Sequence, residues 1–169
     1  KKYLNINLGS GNENLKNYYN FDINNHDNTD VICDLNEKLI LLPNDTVKRI
    51  YSNQTLEHLS NLEGFMQEVV RICIHNAEIL FKVPHFANPY YYSDPTHKRH
   101  FGLFSMHYFA NPKEQWKRNV PNYLTLSELS LIEVKILFYR DTIFEHLFNP
   151  LFERLININN STKHFFEKR

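Results

Sequence analysis

The stretch Leu4-Asn5-Ile6-Asn7-Leu8-Gly9-Ser10-Gly11-Asn12 constrains the fold more than any other part of the chain. Leu4, Ile6 and Leu8 alternate with asparagines, the period of a β-strand. The strand runs straight into Gly-Ser-Gly. Glycine permits a tight turn there and lets a ligand lie against the main chain. In open α/β sheets ligands bind just beyond the carboxyl ends of strands. A Gly-x-Gly after the first strand therefore fits a nucleotide-type cofactor, and by itself fits a plain turn equally well.

The rest of the chain supplies the partners such a strand needs. Tyr19 to Ile23, Asp30 to Cys33, Val47 to Tyr51 and Glu78 to Val83 read as further short strands. Glu13 to Tyr18 has room for one or two helical turns. Leu62, Phe65, Met66, Val69, Ile72 and Cys73 recur at helical spacing and predict an amphipathic helix over Leu62 to His75. Strands separated by helical or turn segments imply a parallel, doubly wound sheet. His85 to Trp116 is long, aromatic and irregular, the character of a lid or binding surface. Thr125-Leu126-Ser127-Glu128 is a capping box. Alternation from Ile132 to Phe138 predicts a late strand, Asp141 can cap a helix to about Asn149 that Pro150 would break or restart, and Lys163 to Glu167 fits strand or helix.

With 169 residues, 42% hydrophobic and 14% aromatic, the chain suits one packed domain. Its reading is a cofactor-binding half over 1–84 and a substrate-side loop with C-terminal strand and helices over 85–169. Lys+Arg and Asp+Glu balance at 19 each, so no net basic field favours nucleic acid. Cys33 and Cys73 lie in apolar stretches and read as buried thiols of a reducing compartment. With no signal peptide and no bilayer-spanning run, the expected location is the cytoplasm. A homodimer is left open.

Strand ends carry the polar groups. Asp22 closes the second strand soon after the glycine turn and can accept both hydroxyls of a ribose. Asp34 closes the next and can accept from an exocyclic amine. Ser52 and Asn53 close the fourth. The plainer reading of each is a turn or a cap. A dinucleotide fingerprint is not matched, because Asn14 stands at the third glycine position and Asp22 comes too early. No Walker lysine follows the glycines.

These residues resemble class I S-adenosylmethionine-dependent methyltransferases, above all the type-11-like group. The strings are Leu8-Gly9-Ser10-Gly11-Asn12, Tyr19-Asn20-Phe21-Asp22-Ile23, Asp30-Val31-Ile32-Cys33-Asp34-Leu35 and Ile50-Tyr51-Ser52-Asn53-Gln54-Thr55-Leu56-Glu57-His58-Leu59. Glu68-Val69-Val70-Arg71, Val83-Pro84 and Asp94-Pro95-Thr96-His97 through Phe101 follow in order. The resemblance implies a Rossmann-like three-layer α/β/α sheet, mostly parallel with an antiparallel C-terminal strand. It implies S-adenosyl-L-methionine as cofactor: Gly9, Ser10 and Gly11 at its amino-acid end, Asp22 on the ribose, Ile23 beside the adenine, Asp34 and Leu35 at the adenine edge, and Ser52 and Asn53 under the sulfonium. Two departures stand out. The segment after Gly11 is shorter than the family's first helix, and Ile74-His75-Asn76-Ala77 replaces a glycine-rich turn.

The activity so implied is methyl transfer to a small molecule or saccharide, with a hydroxyl as the expected acceptor. A base helps such a transfer by about 10²–10⁴-fold. His97 and His58 are the candidates, ahead of His85 and His100. Bracing of a turn or helix is the plainer role for each. His85, Asp94, His97 and His100 offer ligand-type atoms, but no helical His-x-x-x-His pair exists and no metal is expected. Tyr90, Tyr91, Tyr92, Phe101, Phe104, Tyr108, Phe109 and Trp116 serve as core and lid, or as a platform for a flat acceptor. The competing reading is a methyltransferase-like module without catalysis, sensing cofactor or binding a partner.

Overall fold

A computed structural model describes residues 3–39, 41–112, 129–138, 143–159 and 163. The chain divides into two compact units, Lys1–Phe101 and Gly102–Arg169. The first holds a five-stranded sheet of β1 (Leu4–Leu8), β2 (Tyr19–Asp22), β3 (Val31–Ile32), β4 (Val47–Asn53) and β5 (Cys73–Lys82), with helix α1 (Leu62–Ile72) between the last two. Strand order is β3-β2-β1-β4-β5 and every pairing is parallel. The fold is therefore α/β.

β1 lies at the centre, and its Ile6, Asn7 and Leu8 are all fully buried. A buried amide must be paired. Asn7 meets its register partner Asn20 on β2, donating from Nδ2 to Asn20 Oδ1 at 3.0 Å. The alternation seen in the sequence thus separates two buried faces, one apolar and one carrying an amide ladder.

α1 forms where expected but ends at Ile72, three residues short of the predicted His75. Asn61 caps it, accepting from Gly64 N at 3.0 Å. Leu62, Phe65, Met66, Val69 and Ile72 are buried; burying each side chain contributes roughly 1.5–3 kcal/mol. The chain enters β5 at once. Between the pairs Val47↔Cys73 and Arg49↔Glu78 the register shifts, so Ile74-His75-Asn76-Ala77 bulges outward, with Asn76 at φ 61. Glu68 and Arg71 on the same helix bind the preceding loop. Glu68 Oε2 accepts from Leu39 N at 2.9 Å, and the Arg71 guanidinium donates to the carbonyls of Leu39 and Leu42.

Three expectations need correction. No helix forms over Glu13 to Tyr18: these residues are turns, and Asn17 at φ 68 holds a conformation that ends a helix. With turns also linking β2 to β3, α1 is the one α-helix among the described residues of this unit, and a three-layer sandwich is not what they form. The antiparallel C-terminal strand is not seen. Residues 132–138 form no β-ladder among the described residues. Side chains satisfy that backbone instead. Asn157 Oδ1 accepts from Ile136 N at 2.9 Å, Asn157 Nδ2 donates to Ile136 O at 2.7 Å, and Glu153 Oε1 accepts from Phe138 N at 2.8 Å.

Those side chains come from α2 (Ile143–Ile156) in the second unit, which continues through Pro150 rather than breaking there. Proline forfeits one intrahelical bond but does not force an end. Leu147, Leu151, Phe152 and Leu155 on this helix are exposed. Short 3₁₀ turns at Pro89–Ser93 and Ser105–Phe109 interrupt the segment read as irregular. Trp116 and the Thr125–Glu128 capping box lie outside the described residues, as does the Lys163 to Glu167 segment apart from Lys163. No helix among the described residues is long and apolar enough to cross a membrane.

Candidate functional site

Because β1, β2 and β4 run parallel, their carboxyl ends share one rim of the sheet. Gly9 and Ser10 leave β1 with both amides on the Phe21 carbonyl, at 2.8 and 3.1 Å. This carries the glycine turn over the end of β2. Gly11 N then donates to Asp22 Oδ2 at 2.8 Å, and Asn24 N donates to Asp22 Oδ1 at 2.8 Å. His26 Nε2 lies 3.8 Å from Oδ1. Asp22 is buried, yet a carboxylate has about four lone-pair sites, so acceptor capacity remains beyond these two amides.

The two glycines differ. Gly9 has φ +66, and a Cβ there would lie 2.2 Å from Thr55 Oγ1. The space its missing side chain leaves is filled by Thr55. Gly11 has φ +52, and nothing lies within 4 Å of a Cβ built on it. Its open side faces outward. Between them Ser10 is buried, with its hydroxyl unpartnered.

The other predicted cofactor residues divide. Ser52 is fully buried and donates to the Leu8 carbonyl at 2.7 Å, a strut between β4 and β1. Asn53 ends β4, half-buried. Ile23 is 61% exposed just beyond Asp22. Asp34 is exposed, and its Oδ1 accepts from the Asn36 amide and side chain at 2.9 Å each. Leu35 is part of the core. The structure thus joins Gly9, Ser10, Gly11 and Asp22 directly, adds Ser52 through Leu8, and gives Asp34 the turn role that was one of its plainer readings.

A second cluster forms where the turn after β4 meets the loop after β5. Leu56–His58 is a single 3₁₀ turn, with Leu56 and Leu59 in the core. The turn carries Glu57 inward with them. The Glu57 carbonyl accepts from Lys98 N at 2.7 Å and Arg99 N at 3.1 Å, and Arg99 Nε donates to the Leu59 carbonyl at 3.1 Å. These bonds clamp the Asp94–Arg99 loop onto the turn. They bring His97 beside His58, ring centroids 4.8 Å apart and edge to face.

Each imidazole is oriented through Nδ1. His97 Nδ1 lies 2.8 Å from the Tyr91 carbonyl, which only accepts, so Nδ1 carries the hydrogen. His58 Nδ1 lies 2.9 Å from Thr96 Oγ1. Thr96 gives its own hydrogen to Asp94 Oδ1 at 2.6 Å, and its amide adds a bond to the same oxygen. These bonds hold the Asp94 carboxyl below its ordinary range, so it stays an acceptor. Thr96 Oγ1 must then accept from His58 Nδ1–H. A neutral ring held in this way keeps its lone pair on Nε2.

Glu57 faces those lone pairs. It is fully buried and neither carboxylate oxygen has a hydrogen-bond partner in another residue. Burial pushes its pKa up to about 6, opposed by its own amide and by His97. Glu57 Oε1 is 4.0 Å from His58 Nε2. His97 Nε2 is 3.7 Å from Asp94 Oδ2.

Sequence reasoning paired His97 with His58 as candidates and missed Glu57 as a site group. The only local signal was a glutamate set between two core leucines in Leu56-Glu57-His58-Leu59. The aromatic segment divides as well. In the first unit Tyr91 and Phe101 are buried while Tyr90 and Tyr92 are exposed; in the second, Phe104 and Phe109 are buried. Comparison with family models, with curated proteins and with solved structures gives no match.

Proposed function

We propose that the first unit binds S-adenosyl-L-methionine and transfers its methyl group to a hydroxyl of a small molecule or saccharide. One observation carries the reading: the Gly11 amide and the Asp22 carboxylate are bonded to each other at the carboxyl ends of adjacent parallel strands. The strand order agrees with a Rossmann-like sheet, whose direction of winding reverses between β1 and β4. Ligands of such sheets bind at that reversal. The residues fit an adenosine cofactor on three counts. Asp22 keeps acceptor capacity for ribose hydroxyls, Gly11 is open on its free side, and Ser10 offers a buried, unpartnered hydroxyl.

Bound there, the cofactor supplies an activated methyl group on a sulfonium sulfur. The chain's own part is alignment, which contributes roughly 7–11 kcal/mol in favourable cases. It also provides a proton acceptor: His58 and His97 each present an Nε2 lone pair, fixed by the Thr96 and Tyr91 contacts. The exposed faces of Tyr90 and Tyr92 suit a sugar ring or another flat acceptor.

A non-catalytic, cofactor-sensing or partner-binding module is the second reading. Thr55 favours it, because its side chain occupies the space against Gly9 that a ligand would otherwise share. Calorimetry separates the readings. The enzyme reading expects binding of both S-adenosylmethionine and its demethylated product, and loss of both in Asp22→Ala. Transfer of labelled methyl to a saccharide or small-molecule acceptor then separates enzyme from sensor. A folded wild-type protein that binds neither compound removes the proposal.

A further inference from the structure

We infer that Glu57, His58 and His97 form a binding site for a divalent transition-metal ion of zinc's type. One ligand atom from each lies within 4.8 Å of the others. The case rests on what those atoms are. The hydrogen bonds at Nδ1 leave both imidazoles with Nε2 as a bare acceptor. Glu57 adds a carboxylate that is fully buried and meets no donor from another residue. Three ligand-type atoms, Glu57 Oε1 and His58 Nε2 4.0 Å apart among them, thus share one small volume.

Such an arrangement is unfavourable unless something positive joins it. A buried carboxylate without partners is strongly unfavourable. A cation removes that cost and uses all three lone pairs at once. Two imidazole nitrogens and one carboxylate oxygen suit zinc and its neighbours, and leave a coordination position open for water or an acceptor oxygen. Metal–ligand bonds of about 2.0–2.2 Å put the ligand atoms about 3–3.5 Å apart at a tetrahedral centre. The three side chains must therefore draw in by about an ångström.

The groups behind the ligands match what metal-bound histidines need. A ligating imidazole gives its other N–H to a carbonyl or, directly or through a relay, to a carboxylate, which fixes the ring and raises its basicity. His97 has the Tyr91 carbonyl; His58 has Thr96, itself backed by Asp94. This set differs from the one the sequence alone offered. His97 is common to both, while His85 and His100 have no place in it; Asp94 backs His58 through Thr96, and its other oxygen lies 3.7 Å from His97 Nε2.

The inference is independent of cofactor binding, since the titration contains no cofactor; an ion at this site takes up the Nε2 lone pairs that serve as proton acceptors in the metal-free protein. The protein, stripped with chelator and confirmed folded by circular dichroism, is titrated with Zn²⁺ in the calorimeter and with Co²⁺ in the visible spectrum. One ion per chain is expected, with Co²⁺ bands of a four- or five-coordinate site. The expected Zn²⁺ affinity falls at least about 100-fold in His97→Ala and in the isosteric Glu57→Gln, and about 10–100-fold in Thr96→Val, which touches no metal. His85→Ala and His100→Ala retain wild-type affinity. Absence of saturable binding by the folded wild type overturns the inference and leaves the space to a proton shared between His97 and the carboxylates. Wild-type affinity in folded Glu57→Gln or Thr96→Val overturns it as well.

Discussion

The Gly11 amide donates to Asp22 Oδ2 at 2.8 Å, joining the turn after β1 to the end of β2. With Asn24 N on the other oxygen, one carboxylate sets the path of two loops. Hydrogen bonds to a charged group contribute about 1.5–3 kcal/mol each, so Asp22→Ala, which removes two, should lower unfolding free energy by about 3–6 kcal/mol. Asp22→Asn, which keeps one acceptor, should lose about half of that. Urea denaturation of the three proteins measures the order.

Gly9 and Gly11 both have positive φ, but Gly9 alone is crowded. Gly11→Ala should cost about 1–2 kcal/mol for its left-handed backbone. Gly9→Ala should cost about 3 kcal/mol or more, because contact with Thr55 adds to the same strain. Thr55→Gly should recover much of the difference in a double-mutant cycle. Equal costs for the two alanines would show that Thr55 does not pack against Gly9.

Glu68 predicts a pH dependence. Its hydrogen bonds with Arg71, and then its bond from the Leu39 amide, hold its pKa below the ordinary 4.5, while burial opposes them. A carboxyl lowered in the folded state contributes stability above its unfolded value and loses it as pH falls through the folded value. Glu68→Ala should therefore be less stable than wild type by about 1.5–3 kcal/mol at pH 7. The gap should narrow below pH 4.5, as denaturant midpoints at pH 7, 5 and 3 would show.

Burial pushes the thiol of Cys73 up to about 12 and that of Cys33 up to about 11, with Asp22 and Asp34 adding to the latter. The thiolate is the reactive form, and at pH 8 it is a fraction of about 10⁻³ or less at both sites. Native protein should resist iodoacetamide for hours, Cys33 reacting before Cys73, and both should react within minutes in guanidinium. Mass spectrometry of quenched samples reads the order.

Glu57 should cost the metal-free protein stability. In chelator at pH 8, Glu57→Gln should be more stable than wild type by about 1–2 kcal/mol, since an amide loses less on burial than an unpaired carboxylate. Added Zn²⁺ should reverse the ranking by stabilising wild type alone. Thermal melts with and without metal make the comparison.

Much of the first unit was legible because its signals are local. The Leu4 to Leu8 alternation, the glycines after it and the 3.6-residue period of α1 each report a conformation over a few residues. Asn17 shows the limit: its left-handed backbone forbids the helix that Glu13 to Tyr18 had room for, and asparagine takes either conformation. Residues 132–138 alternate like a strand, yet their backbone is bonded by Asn157 and Glu153, which no local pattern connects to them. The site divides the same way. Gly11 and Asp22 follow from strand ends. Glu57 does not, because its burial depends on the Asp94–Arg99 loop closing over it.

A crystal structure of the protein grown with S-adenosylhomocysteine decides whether Gly11 and Asp22 hold an adenosine cofactor. Both ribose hydroxyls should lie within hydrogen-bond reach of the Asp22 carboxylate, about 2.6–3.2 Å, with the amino-acid end against the open side of Gly11. A ligand bound elsewhere on the chain, or a crevice between Gly11 and Asp22 without ligand density at saturating concentration, would contradict that binding mode.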